Sequence, residues 1–391
     1  MNIILFDDEV SVNLRPLTLT RPSALLRCGI LTIEEKWRHY LKTESSSYHT
    51  ADYLSEKYPI SLEADNLFIN GRLLPDVQLV NEILKLESGQ ALYHGNDLLA
   101  FRNSVYSTEL DNKRTYQSDV QLIERCHNIF TFNHKQIESD FYLLTAGRVS
   151  AQLSSSNITF GKHPIFIEEG VFAEAAVFNT NDGPIYLGRN SEVMEGANIR
   201  GPFALCEGSS IKMGAKIYTG TTIGPHSKVG GEVSNSVILG FSNKGHDGFL
   251  GNSVLGEWCN LGADSNNSNL KNNYEEVKLW NYNTGSFERT GLQFCGLIMG
   301  DHSKCGINTM FNTGTVVGVS ANIFGSGFPR NFVPSFSWGG AAGFETYMPK
   351  KAYQTARMVM ERRKLNLTEL DIAILDKVFE LESTHRNWEK S

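Results

Sequence analysis

From Leu187 onward the chain places an aliphatic residue at every sixth position: Leu187, Val193, Ile199, Leu205, Ile211, Ile217, Ile223 and Val229. An α-helix repeats every 3.6 residues and a strand every two, so neither alone produces this pattern. The fourth position after most of these residues is small or hydroxylated: Ser191, Ala197, Ser209, Ala215, Thr221 and Ser227, with Phe203 and Val233 as exceptions. This predicts a left-handed parallel β-helix built from hexapeptide repeats, each hexad forming one short face of a triangular coil. The aliphatic residue points inward, the small residue fits the corner, and stacked coils bury one apolar column. The same spacing predicts inward residues at Ile165, Val171 and Val177, then at Phe249, Leu255 and Leu261, and finally at Met299, Cys305, Phe311, Val317 and Ile323. Residues 264–296, with Asn266-Asn267-Ser268-Asn269, Trp280 and Tyr282, interrupt the repeat and read as an extruded loop.

Three regions follow: an α/β domain over 1–150, the β-helix over 151–348 and C-terminal helices over 349–391. In the first, Asn2–Phe6 and Asn66–Ile69 read as strands, and Ile33–Tyr40 and Val80–Leu86 carry helical apolar spacing. In the last, Ala352, Ala356 and Val359 share a helical face, and Thr368 caps a second helix. Arg357, Arg362, Arg363 and Lys364 form either a solvated basic face or an anion contact for a cofactor phosphate.

A net charge of −7 argues against non-specific binding to nucleic acid or anionic membranes. The six cysteines include no CxxC pair and read as reduced thiols, with no zinc site. Asp7-Asp8-Glu9 closes the first apolar run too early for a signal peptide, and no apolar run reaches membrane-spanning length. A cytoplasmic location is expected.

Coil geometry does not explain the run Ser242-Asn243-Lys244-Gly245-His246-Asp247-Gly248-Phe249-Leu250-Gly251. Lys244, His246 and Asn260 are expected to point outward, because coil interiors need aliphatics. Histidine is suited to take a proton from an amine attacking a thioester. Lysine can hold a substrate phosphate, and asparagines can orient sugar hydroxyls. His246 alone would read as an ordinary surface histidine; its neighbours make it a candidate base.

The run Asn243–Gly251, continued by Gly256-Glu257-Trp258-Cys259-Asn260-Leu261-Gly262-Ala263, resembles the acetyltransferase half of bifunctional N-acetylglucosamine-1-phosphate uridylyltransferase/glucosamine-1-phosphate acetyltransferases. That family carries K-x-x-H-x-x-Y-x-G and N-I-G-A-G-T segments. The resemblance implies that His246 is the base, that Lys244, Asn260, Asn269 and Glu232 bind the sugar substrate, and that Gly262 and Ala263 contact acetyl-CoA. Lys244 is displaced by one residue from the family's lysine, Phe249 replaces its tyrosine, and Leu270 replaces another tyrosine. The resemblance also implies a homotrimer.

Leu14-Arg15-Pro16-Leu17-Thr18-Leu19-Thr20-Arg21-Pro22-Ser23 resembles the start of sugar-1-phosphate nucleotidyltransferases. The family's Gly-rich loop is replaced by Asp7–Asn13, and its lysine by Ser23. Phe68-Ile69-Asn70-Gly71-Arg72 resembles a strand ending in N-G-D, with Arg72 where the magnesium-binding aspartate would stand. The implied nucleotide-binding residues are Asn13, Arg15, Arg21, Arg27, Lys36, Asn70, Gly71 and Arg72. Any Mg2+ would come with the nucleoside triphosphate or through Asp7 or Asp8. With Gly29-Ile30-Leu31-Thr32-Ile33 and Ser337-Trp338-Gly339-Gly340, the whole pattern resembles an alternative bacterial group of fused nucleotidyltransferase/acetyltransferases. That group takes a sugar 1-phosphate, a nucleoside triphosphate and acetyl-CoA. Two alternatives remain open: a β-helix that only oligomerises a nucleotidyltransferase, and a non-catalytic scaffold that binds a nucleotide sugar.

Overall fold

The computed structural model describes residues 2–110 and 112–390. The N-terminal region holds a mixed sheet of β1 (Asn2–Phe6), β2 (Ser47–His49), β3 (Asn66–Asn70), β4 (Gln90–His94), β5 (Asp97–Asn103) and β6 (Asn112–Thr115), in the order β2-β1-β3-β5-β4-β6. β1 pairs in parallel with β2 on one side and β3 on the other. Helix α1 (Ile33–Leu41) begins in a capping box in which the Thr32 hydroxyl accepts from Glu35 N–H and the Glu35 carboxylate accepts from Thr32 N–H. Helix α2 covers Val77–Ile83, three residues earlier than the apolar spacing suggests, because Asp76 caps it by accepting from Leu79 N–H.

Helix α3 (Cys126–Thr145) carries the chain to the β-helix and packs on it. The Asn133 amide donates to Gly220 O at 2.8 Å, and the Thr222 hydroxyl donates to Gly29 O at 3.0 Å. Core residues of the α/β region, including Leu14, Leu17 and Ile129, join Val237, Leu239, Val254, Ile298 and Val316 of the β-helix in one apolar cluster.

The β-helix has three faces of parallel strands. The first stacks from Ile165–Ile167 to Phe332–Val333, the second from Phe172–Ala173 to Ser337–Gly340, and the third from Ile158–Gly161 to Phe249–Gly251, continued by Asn266–Asn267 and Met310–Phe311. The predicted inward residues from Leu187 to Val229 are buried, and so are the small corner residues. Corner serines also close hydrogen bonds between coils: the Ser242 hydroxyl donates to Gly256 O and accepts from Cys259 N–H. The corner between the first and second faces is a ladder of residues with left-handed backbone: His226, Phe241, Trp258, His302, Ser320 and Phe336. Phe241 stacks on Trp258 at 4.4 Å, and Trp258 on His302 at 6.2 Å.

Two phases of the repeat differ from expectation. The first coil turns Ile167, Ala173 and Phe178 inward, in register with Leu187, Val193 and Ile199, where Ile165, Val171 and Val177 are predicted. After Val229 the coil shortens, so the inward positions become Val233, Ile238, Lys244 and Leu250; Phe249 faces out and Leu250 is buried. The interruption is also shorter than 264–296, because Asn266–Asn267 remains a coil strand. Its extruded part carries a hairpin, Lys278–Asn281 paired with Ser286–Arg289, and Trp280 stacks on Phe332 at 4.2 Å.

Helices α4 (Pro349–Glu361) and α5 (Glu369–Leu381) pack beside the corner ladder, sharing a cluster with Trp258 and Phe336. Thr368 caps α5 through a reciprocal pair with Asp371. All six cysteines are buried free thiols. Among the described residues no helix is long and apolar enough to cross a membrane.

Candidate functional sites

In an open α/β sheet, a crevice forms beyond the carboxyl ends of strands where successive connections leave in opposite directions. β1 is such a strand, flanked by β2 and β3. Asp7 and Asp8 follow it directly, and His49 and Thr50 follow β2. A cavity of about 240 Å3 opens there, lined by Asp7, Asp8, Ser11, Arg15, Thr18, His49, Thr50 and Tyr53 among others. Asp7 accepts from Ser23 N–H at 2.9 Å, from the Ser23 hydroxyl and from the Thr50 hydroxyl. Burial outweighs these bonds and raises the Asp7 pKa above the ordinary carboxylate value. Burial also lowers the pKa of His49, whose ring stacks on Tyr106 at 3.6 Å.

Most of the predicted nucleotide-binding cations are committed elsewhere. Arg72 is fully buried; its guanidinium grips Asp8 in a fork and its third arm donates to Ile123 O. The fork expected to hold a phosphate therefore holds a carboxylate. Asn70 supports the pair, donating to Asp8 at 2.8 Å and accepting from Arg72 N–H. Gly71 is needed for packing, since a Cβ there would lie 2.7 Å from the Ser23 hydroxyl. Lys36 is buried against Asp140, which also accepts from Ile30 and Leu31 N–H. Arg27 is buried, bonded to Ile30 O and near Glu35. Arg21 pairs with Glu257 and Asp301 and so ties the α/β region to the β-helix. Asn13 lines a crevice against the extruded hairpin, and its buried side-chain oxygen has no partner among the described residues. Arg15 alone among the predicted cations reaches the strand-end cavity.

The donor set does not fit a resident Mg2+. The Asp8 oxygens hold Arg72 and Asn70, the Asp7 oxygens hold hydroxyls, and no cluster of three or more acidic, histidine or cysteine ligands occurs among the described residues. The expected entry of a metal through Asp7 or Asp8 gives way to this network.

On the β-helix, His246 lies exposed at the corner between the second and third faces. Lys244 does not point outward. It takes an inward position above Val229, is 2% exposed, and donates to Gly230 O at 2.9 Å and His246 O at 2.7 Å. Its ammonium thus pins the backbone at His246 and is not available to a substrate phosphate. Burial pushes its pKa from 10.5 down to about 8. The folded state then holds this proton less tightly than the unfolded chain, so its contribution to stability rises with pH. Between pH 8 and 10.5 the stability of the parent relative to Lys244→Met should climb by roughly 3 kcal/mol. Urea denaturation of both proteins across that range checks this, and parallel pH profiles would refute it.

Asn260 faces outward and accepts from the Asn243 amide at 2.9 Å. Asn269 sits at the far end of the third face, donating to Asn252 at 2.8 Å. Glu232 pairs in register with Phe249 on the third face. Gly262 is dictated by coil stacking, because a Cβ there would meet the Gly306 backbone at 2.4 Å. Ala263 is half-buried and its carbonyl accepts from Asn308 N–H. His246, Glu232 and Asn269 thus lie along the third face of adjacent coils, with Asn260 just before the same corner.

Comparison with known proteins bears on the first of these sites. Residues 3–149 match the family described as sugar nucleotidyl transferase. The strand-end cavity lies inside that stretch. A Bifunctional protein GlmU from Methanocaldococcus jannaschii is 34% identical over 87 residues, covering 22% of this chain and 21% of that protein. The chain thus spans about a fifth of the length of that curated relative. Solved structures with partial similarity include the polySia-specific acetyltransferase NeuO (14% identity, 49% of this chain and 87% of that one, TM-score 0.27). They also include LpxA, a UDP-N-acetylglucosamine acyltransferase from Bacteroides fragilis (13% identity, 57% and 96%, TM-score 0.24).

The sequence reading did not single out His49, Thr50 and Tyr53. β2 is only three residues long and carries too little periodicity to be recognised, so the residues after it had no frame.

Proposed function

We propose that the chain is a transferase of nucleotide-sugar synthesis, acting as a sugar-1-phosphate nucleotidyltransferase in its α/β region and as an acetyltransferase on its β-helix. The observation that carries this reading is the strand-end cavity of Asp7, Asp8 and Arg15 inside the stretch matched to sugar nucleotidyl transferases. In the finer form of the proposal, glucosamine 1-phosphate is acetylated from acetyl-CoA and then uridylylated to UDP-N-acetylglucosamine. The substrate amine attacks the thioester carbonyl, His246 accepts the amine proton, and the coenzyme A thiolate leaves and takes a proton back. Asn260, Asn269 and Glu232 orient the sugar. Arg15 meets the nucleotide phosphates, and Mg2+ enters as part of the nucleotide substrate.

Ser23 in place of a lysine and the Arg72–Asp8 pair favour a second reading, in which the α/β region binds a nucleotide sugar without forming it. Incubation with sugar 1-phosphates, nucleoside triphosphates and acetyl-CoA separates the two. Pyrophosphate release with a nucleotide-sugar product supports synthesis; tight nucleotide-sugar binding without turnover supports the second reading.

His246 is exposed on a coil corner. A homotrimer is therefore proposed, with a neighbouring copy closing the acetyl-transfer site. Light scattering should give three times the chain mass at micromolar concentration, and a stable monomer would refute it.

A further inference from the structure

A cavity of about 420 Å3 lies between the second face and the end of α4. Its floor is a column of outward residues stacked coil on coil: Lys228, Asn243, Asn260 and Lys304. One wall is the edge of the Phe241/Trp258 stack, and the other is Val359, Arg362 and Arg363.

The charge here is one-sided. Lys228, Lys304, Arg362 and Arg363 line the cavity, Lys304 using one ammonium proton on His302 O at 2.9 Å and keeping two for the cavity, and Lys212 lies close enough to act on Lys228. Burial and the neighbouring cations lower the pKa of Lys228, with Glu192 the opposing acid; burial and Arg362 lower that of Arg363. The negative end of the helix dipole accounts for arginines at the end of α4. It does not account for lysines facing them across a gap, in a chain whose net charge is −7. The Asn243–Asn260 bond leaves the Asn260 amide nitrogen and the Asn243 amide oxygen facing outward with no partner among the described residues. Cations that repel one another around an open cavity are stabilised together by one multivalent anion.

We propose that this cavity binds a diphosphate-bearing ligand, with the phosphates between Lys228, Lys304 and Arg363 and the organic part against the Asn243/Asn260 amides and the Phe241/Trp258 edge. The chemistry is that of a nucleoside diphosphate moiety, which coenzyme A thioesters and nucleotide sugars share. The cavity shares no lining residue with the strand-end cavity. The cavity includes Asn260, which is also proposed to orient the sugar for acetyl transfer, but the test reads binding through Lys228 and Arg363, to which neither transfer reaction assigns a role.

Calorimetric titration of the full chain with inorganic pyrophosphate, coenzyme A and a UDP-sugar tests it, using Lys228→Ala and Arg363→Ala. Arg357→Ala, an exposed charge removed from the same helix, is the control. Each test variant should weaken binding by about tenfold or more, the loss expected for one charge-assisted hydrogen bond, and the control should leave it unchanged. Weaker coenzyme A binding assigns the cavity to an acyl donor; weaker UDP-sugar binding assigns it to a nucleotide sugar. The unliganded Arg363→Ala protein should melt no lower than the parent, because the substitution relieves repulsion. Affinities unchanged in both variants, or losses confined to pyrophosphate, would overturn the proposal.

Discussion

Replacing Arg72 with aspartate should leave the α/β region unable to fold. The guanidinium is fully buried, with its fork on Asp8 and Asp97 at 3.8 Å. Arg72→Asp would set a third carboxylate beside Asp8 and Asp97, where one cation now faces both. Removing one partner of a fully buried pair costs about 3–5 kcal/mol; Asp8 is 26% exposed, which trims that figure, but the new carboxylate at the fully buried position 72 adds to it. Against a whole-domain stability of about 5–15 kcal/mol, the loss is decisive. Arg72→Lys keeps the charge, loses the fork and should retain a weakened fold. The double variant Asp8→Leu/Arg72→Met, which removes both charges, should be markedly more stable than either single variant. Trp37 reports locally, since its indole N–H donates to Leu73 O, so fluorescence during urea denaturation follows the transition. Arg72→Asp within 1 kcal/mol of the parent would show that the pair is not structural.

The same pair sets a pH dependence. Burial works to raise the Asp8 pKa, but Arg72, through hydrogen bonds and charge, holds it below the ordinary value of 3.8. A carboxylate with a depressed folded pKa contributes stability fully above its unfolded pKa and loses it as pH falls through the folded one. Acid unfolding of the α/β region should therefore include titration of Asp8 below pH 3.8.

His246→Ala should lower acetyl transfer to an amino-sugar phosphate by about 10²–10⁴-fold, the range for loss of a general base. His246 is exposed, and Lys244 holds its backbone carbonyl, so the substitution removes the imidazole without disturbing the coil. Any nucleotidyl transfer should be unchanged, because the strand-end cavity contains no part of this corner. Acetylation by His246→Ala within threefold of the parent, measured by thiol release, would show that another group is the base.

The coil was legible because its constraint is local and periodic: an inward aliphatic and a small corner recur whatever the rest of the chain does. The reading slipped where the coil shortens after Val229, since a count back by six from Leu255 lands on Phe249 and Asn243 and so leaves Leu250 and Lys244 outside. The cations were misassigned for a different reason. Arg72, Lys36 and Arg21 look like free phosphate ligands until the carboxylates that hold them arrive from 64, 104 and 280 residues away. No spacing rule within a motif reveals a partner at that distance. Arg15 is different: it sits in the turn after the first short helical segment, beside the strand ends, and its proposed role needs no distant residue.

The triangular coil has three sides, and this chain already covers parts of two. Helix α3 and the α/β region rest on the first, and α4 and α5 close the corner between the first and second. The edge where the second and third sides meet carries Met213 and Ile307, each more than two-thirds exposed, two coils to either side of the turn of His246. In the proposed homotrimer, copies meeting along this edge would place the histidine against a neighbour. Any change that loosened α3 from the coil would uncover the first side, and so offer a proposed trimer a second apolar surface to meet on, before it touched a reacting group.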